Sequence, residues 1–312
     1  ESRSMRWVKH GIVYGPDGQL PWARSHAMIP TPFRLNDEVI RVFVTFLDEA
    51  GIGRPGYVDV AATDPTVVLD ISKRPLLEDG LPGTFDESGM LTCSVIRAGD
   101  GRLFLYYAGF ETGTKIRYRL LSGLAISEND GLTFTRYRPT PSLERSPEEL
   151  FIRGGPFCLY DPPFYRLWYA GGSQWTDLNG KSMPVYEIRY LESENGSDWA
   201  GTGEVQIGIT DPDEHGFGRP YVIRRPDGGF RMFYSVRRRS YANYRLGYAD
   251  SADGRHWRRM DQSLNLDVTP GSFDSEAIMY AAPIQIGERL YLFYNGNDFG
   301  REGFALAELE TE

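Results

Sequence analysis

One pattern recurs five times along the 312 residues: an apolar run, a short turn, then a strand rich in aromatic residues. The copies occupy 28–46, 90–109, 152–171, 217–236 and 279–296. Superposing their second strands brings Thr45, Tyr107, Tyr169, Tyr234 and Tyr294 to one position, at intervals of 62, 62, 65 and 60 residues. A repeat that runs nearly the full length constrains the fold more than any single motif. Each unit is too small to bury its apolar face alone and must stack on its neighbours.

A second motif recurs in phase with the first. Ser127 precedes an Asn-Asp-Gly turn and Phe134, Ser193 an Asn-Gly turn and Trp199, and Ser251 an Asp-Gly turn and Trp257. Asn-Gly and Asp-Gly supply the positive φ angles of tight hairpins, and the aromatic residue after each turn opens a further strand. Four antiparallel strands per unit make one blade, so the fold expected is an all-β, five-bladed β-propeller. The fifth unit stops after its third strand, 303–310, and the N-terminal stretch Arg6–Val13 supplies an orphan strand with Trp7 placed like Trp199 and Trp257. That strand is expected to join the C-terminal blade and close the ring, removing exposed strand edges. No linker interrupts the series, so residues 1–312 read as a single domain. The 13% aromatic content, with 35 Gly and 20 Pro, suits many short strands, and no long apolar run at helical spacing competes.

Charge and cysteine content exclude whole classes of function. A net charge of −9 argues against nucleic acid, and the Arg237–Arg239 run reads as a solvated loop. No apolar stretch is long enough to span a membrane. Cys93 and Cys158 alone make neither a disulfide framework nor a metal site; no cofactor is expected, with a structural divalent ion in the central channel as the alternative. A reducing, cytoplasmic compartment is the expectation. The opening at Glu1 rather than Met leaves a secreted protein with a trimmed leader as the alternative.

In a propeller the innermost strands start around a common opening. Their reference positions are Thr31-Pro32, Thr92-Cys93, Gly155-Pro156, Arg219-Pro220 and Ala282-Pro283. Five or six residues upstream lie His26, Glu87, Glu149, Glu214 and Glu276, with Asp86 and Asp213 preceding two of the glutamates and Asp274 close to Glu276. Four acids of five at one station suggest a converging acidic site, although acid-rich solvated loops would look the same. Converging carboxylates suit glycosidic cleavage, where one carboxylic acid protonates the leaving oxygen and a second carboxylate is base or nucleophile. Glu214 and Glu87 are the expected pair, with Asp274 or Glu276 tuning their proton affinity. Arg153 and Arg219, at the start of blades three and four, would clamp substrate or form ion pairs between blades. His26, Asp86, Tyr280 and Asn297 complete the candidate substrate-binding set.

On these hairpins, the Ser251–Trp257 turn and the Arg-Pro and Gly-Pro strand starts, the whole chain resembles the five-bladed propeller glycosidases. These comprise arabinanases and β-xylosidases, invertases and levansucrases, and mannoside phosphorylases. The resemblance implies the propeller fold and a carbohydrate or sugar-phosphate ligand. It does not transfer catalytic residues, because the Asp-Pro typical of arabinanase-like enzymes is Thr31-Pro32 here. The Arg-Asp-Pro of invertase-like enzymes is Arg153-Gly-Gly-Pro156, and their Glu-Cys-Pro is Gly218-Arg219-Pro220. The leading expectation is a carbohydrate-active enzyme that cleaves or transfers a glycosidic bond. The alternatives are a non-hydrolytic propeller that binds a sugar or nucleotide sugar, and a protein-interaction scaffold needing an exposed apolar face.

Overall fold

The computed structural model describes residues 4–241 and 243–312. Apart from single turns at Asp261–Leu264 and Asn297–Gly300, its regular elements are strands. The chain divides into two compact units. The first holds Glu1–Pro75, Tyr221–Ser235 and Asn243–Glu312; the second holds Leu76–Pro220 and Val236–Ala242.

In the first unit, β1 (Arg6–Tyr14) comes before a four-stranded sheet in sequential order: β2 (Ser25–Arg34), β3 (Val39–Leu47), β4 (Gly53–Ala61) and β5 (Asp64–Ile71). The second unit begins with β6 (Met90–Arg97), β7 (Leu103–Thr112) and β8 (Tyr118–Ser127), flanked by the short β9 (Thr135–Arg136). Its next hairpin strands are β10 (Ile152–Asp161), β11 (Phe164–Leu178) and β12 (Lys181–Ser193), with β13 (Glu204–Ile207) on the outer side of β12. The fourth repeat consists of β14 (Glu214–Arg224), β15 (Phe230–Arg238), β16 (Arg245–Ser251) and β17 (Trp257–Arg259), and its first two strands run through both units. The last strands are β18 (Met279–Ile286), β19 (Arg289–Asn295) and β20 (Phe304–Thr311). β1 pairs antiparallel with β20, from Arg6 opposite Thr311 to Tyr14 opposite Phe304, giving the order β1-β20-β19-β18. The N-terminal strand therefore sits where the sequence placed it.

Each core is apolar side chains from alternate positions of successive strands. One in the first unit gathers Val42, Val44, Phe46, Val58 and Val60 with Phe293, Phe304 and Leu306. A second gathers Phe233, Tyr248, Ile278 and Leu292. The core of the second unit gathers Phe104, Tyr106, Leu124, Leu167, Tyr169 and Trp199. Trp168 and Trp199 are buried in packing.

The Ser-Asn/Asp-Gly motif closes a serine-capped turn each time, one residue longer at Ser127 than at Ser193 and Ser251. The Ser127, Ser193 and Ser251 hydroxyls donate to Asn129, Asn195 and Asp253 at 2.8, 3.0 and 3.1 Å. They also accept the N–H of Gly131, Gly196 and Gly254 at 2.9, 3.1 and 2.8 Å. Those glycines have φ of 83°, 73° and 80°, which a side chain would strain.

A further regularity positions the candidate site. The inner strands of four hairpins carry one extra residue at the same place, a β-bulge: between Met28 and Thr31 in β2, Thr92 and Ser94 in β6, Gly154 and Phe157 in β10, and Met279 and Ala282 in β18. The bulges face the stretch of second strand that carries Thr45, Tyr107, Tyr169 and Tyr294. Positive φ angles fall in them at Ile29 (55°), Gly155 (57°) and Tyr280 (59°), and at Arg219 (41°) in β14. A bulge re-aims side chains, and backbone held in such conformations clusters at functional positions. The extra N–H groups are satisfied by side chains: Ile29 N donates to Asn295 Oδ1 at 2.7 Å, and Tyr280 N to Ser235 Oγ at 2.9 Å.

Candidate functional site

The acidic station before each inner strand divides into two kinds of residue. In the second unit, Asp86 is 1% exposed, and its Oδ2 accepts from Arg136 Nε at 2.8 Å and from the Tyr107 hydroxyl at 3.1 Å. Glu149 has no exposed surface. It accepts from the Tyr169 hydroxyl at 2.8 and 2.9 Å, ion-pairs with Arg153, and lies 3.5 Å from Arg189 Nε. Burial pushes the Glu149 carboxyl above the usual carboxylate range, against the pull of Arg153. In the first unit, Asp274 is likewise fully enclosed, with Lys9 Nζ donating to its Oδ2 at 2.6 Å and Tyr294 beside it. Burial and the neighbouring carboxylate push the Tyr107, Tyr169 and Tyr294 phenols up, so each stays protonated as a donor.

The tyrosines that mark the repeat thus share a local role. Each stands against a buried carboxylate that a cation neutralises: Arg136 from β9, Arg153 and Arg189 from β10 and β12, Lys9 from β1. In the fourth repeat the carboxylate comes instead from Asp261, bonded to the Tyr234 hydroxyl and to Arg259 Nη2 at 2.6 Å. The strand-start acid there, Glu214, is therefore not needed for this lock. No sequence signal separates these lock acids from the other acids of the station, although the in-phase spacing of Tyr and acid is visible.

The remaining candidates of the second unit lie as follows. Glu87 is half-buried, and its Oε2 accepts from Gly83 N at 2.7 Å. Glu214 is 5% exposed, at the first position of β14. Beside it, His215 is buried with Nδ1 bonded to Pro184 O at 3.2 Å, and burial holds its pKa down, a neutral imidazole that sequence reasoning did not single out. Arg219 is 3% exposed, and its Nη2 donates to Cys93 O at 3.2 Å. Gly155 packs so closely on it that a Cβ would lie 3.1 Å from Arg219 N. Arg153 also donates to Tyr169 Oη at 3.0 Å and Gly201 O at 2.8 Å, so it acts inside the second unit as an ion-pair partner. Burial pushes the Cys93 and Cys158 thiols up to about 12, which makes them unreactive.

In the first unit, a cleft of about 650 Å³ is lined by Arg24, Ser25, Ser272, Asn297, Asp298 and Arg301, among others. Two of the expected residues belong to this region. Asn297 Oδ1 accepts the backbone N–H of Glu276 at 2.7 Å and of Ala277 at 3.0 Å. His26 Nε2 bonds Asp298 O at 3.1 Å and its Nδ1 bonds Ser25 Oγ at 2.7 Å. Burial, aided by Arg301, holds the His26 pKa below its ordinary value. Glu276 is exposed, and Tyr280, at φ 59°, packs its ring 5.7 Å from that of Tyr244. Asn295 is fully buried at the end of β19; its amide donates to Ala27 O at 2.9 Å and to Gly303 O at 3.2 Å. Among the described residues no group of three or more His, Cys, Asp or Glu is arranged to hold a metal ion. Among them, too, no helix is long and apolar enough to cross a membrane.

No family model matches the chain. Among solved structures, it superposes on a member of the GH130 family of mannoside phosphorylases, a family containing glycoside hydrolases that target beta-1,2 mannosidic linkages in Candida mannan. That match has a TM-score of 0.73 at 14% identity, covering 99% of this chain and 94% of the other. It also superposes on the Penicillium chrysogenum alpha-L-arabinanase complexed with arabinobiose, with a TM-score of 0.61 at 13% identity, over 98% of each chain. The fold is thus the propeller-type fold of glycoside hydrolases and mannoside phosphorylases, as the sequence resemblance implied. In sequence, the chain is 34% identical over 307 residues to the uncharacterized protein Rv1502 of Mycobacterium tuberculosis, covering 98% of this chain and 100% of that protein. On that full-length similarity, the chain belongs to the family of Rv1502.

Proposed function

We propose that the protein is a carbohydrate-active enzyme that cleaves or transfers a glycosidic bond. The observation that carries this reading is the likeness of nearly the whole chain to glycoside hydrolases and mannoside phosphorylases. The bulged inner strands add to it, because they present residues at one repeated position. The proposed acid–base pair is Glu214 and Glu87, both in the second unit, with Arg219, at positive φ in β14, as a substrate clamp. Glu214 is the stronger choice for the acid. It is buried at the first position of β14, and the fourth repeat draws its lock carboxylate from Asp261. Glu87 reaches solvent and suits the base. Asp86, Arg153 and Asp274 hold the structure around their tyrosines and act as positioning residues. As to architecture, we propose that residues 1–312 form one domain of five blades, closed by β1.

A Glu214→Gln variant should melt at the wild-type temperature and lose about 100-fold or more in release from aryl-glycosides, the usual contribution of a general acid. Full activity in that variant removes Glu214 from the mechanism. One observation favours a second reading, a sugar-binding protein without turnover. Thr31 stands where arabinanase-like enzymes have Asp, is fully buried, and spends its hydroxyl on Ile29 O at 3.0 Å. Sugars that raise the melting temperature with no turnover of any glycoside would support it.

A further inference from the structure

We infer that Ser25 and His26 form a nucleophile–base dyad for acyl transfer, opening into the cleft of the first unit and separate from the glycosidic reaction proposed above. The hydrogen-bond chain carries the inference. His26 Nε2 faces Asp298 O at 3.1 Å. A carbonyl oxygen only accepts, so Nε2 bears the proton and, in the neutral ring, Nδ1 carries the lone pair. The Ser25 hydroxyl, 2.7 Å from Nδ1, therefore donates to it. A serine whose proton points at a ring nitrogen oriented by a third group is the arrangement that activates a hydroxyl.

Further observations bear on the same atoms. Ser25 lines the cleft, so a substrate can reach its oxygen. The partners are held in unusual backbone: His26 has φ 65°, and Asp298 and Phe299 have φ 54° and 58° in succession. L-residues in left-handed conformation cost roughly 1–2 kcal/mol each, so the surrounding structure must impose them. His26 N donates to Arg301 O at 3.2 Å, which ties the two strained segments together. Burial also keeps the imidazole in its basic, neutral form. Arg24 and Arg301 line the cleft and supply positive charge for an oxyanion.

The step balances without a co-reactant other than water. Ser25 Oγ attacks the carbonyl carbon of an ester and its proton passes to His26 Nδ1. The C–O bond to the alcohol then breaks, and that proton leaves on the alcohol. Water, deprotonated by the same nitrogen, releases the acid and restores Ser25. The class of substrate is an acyl ester small enough for the cleft.

Reaction of the full chain with diisopropyl fluorophosphate, read by peptide mass spectrometry, tests the dyad. The hydroxyl should displace fluoride and leave the phosphoryl adduct on Ser25. Ser25→Ala should show no adduct in that peptide. His26→Asn, which tolerates the left-handed backbone, should keep the wild-type melting temperature and label about 100-fold more slowly. Absence of an adduct on Ser25, or labelling of His26→Asn at the wild-type rate, overturns the inference.

Discussion

Asp274 is wholly enclosed with Lys9 at 2.6 Å, whereas Glu276, two residues later before the same inner strand, is exposed and is held through its backbone, its N–H donating to Asn297 and its carbonyl accepting from Arg245. The same contrast recurs in the second unit. Asp86 is buried between Arg136 and Tyr107, and Glu87, the next residue, reaches solvent. Acids that are neighbours in sequence thus serve different ends. One neutralises a cation under the repeat's tyrosine, and the other remains available at the surface. The lesson is that an acid-rich station is not one site but two superposed patterns.

The largest effect that could break this comparison is on stability. Asp274→Ala leaves Lys9 partly buried without its carboxylate and should cost about 3 kcal/mol in urea unfolding, while Glu276→Ala should stay within about 0.5 kcal/mol. Equal losses would mean that the exposed acid is structural too. A smaller change tests the tyrosine. Tyr107→Phe removes the hydroxyl that bonds Asp86 and should cost about 1.5 kcal/mol, the worth of a hydrogen bond to a charged group; an unchanged midpoint would reduce the lock to its ion pair.

The smallest effect concerns a third kind of carboxylate, exposed yet structural. Backbone N–H groups of Arg255 and His256, with the His256 ring, hold the Asp253 carboxyl well below the usual range. Its folded value is depressed, so its contribution is present above the unfolded pKa of about 3.9. It is lost as pH falls through the folded value. Asn129 and Asn195 fill the same turn position elsewhere, so Asp253→Asn should barely change stability at neutral pH while flattening the acid limb below about pH 4. An acid limb identical to wild type would show that the charge contributes nothing.

Much of the fold was legible because strands and turns follow local rules. Alternating apolar residues, the Ser-Asn/Asp-Gly turns and the 60–65-residue spacing of the tyrosines need no knowledge of distant neighbours. Even the placement of β1 followed from counting, since the last repeat was one strand short. The site was less legible. Glu149, Asp86 and Asp274 looked equivalent to Glu87, Glu214 and Glu276, and nothing nearby in sequence names Lys9 as the partner of Asp274, 265 residues away.

Sequence by itself therefore determined the repeated all-β plan, the in-phase tyrosines and the acidic station before the inner strands, because periodicity and turn chemistry are local. Only the tertiary structure decided which acids are neutralised under a tyrosine, where the inner strands bulge, and that Ser25 donates to His26. Those outcomes depend on burial and on groups brought together across the chain, and a carboxylate's charge is set by what surrounds it rather than by its place in the repeat.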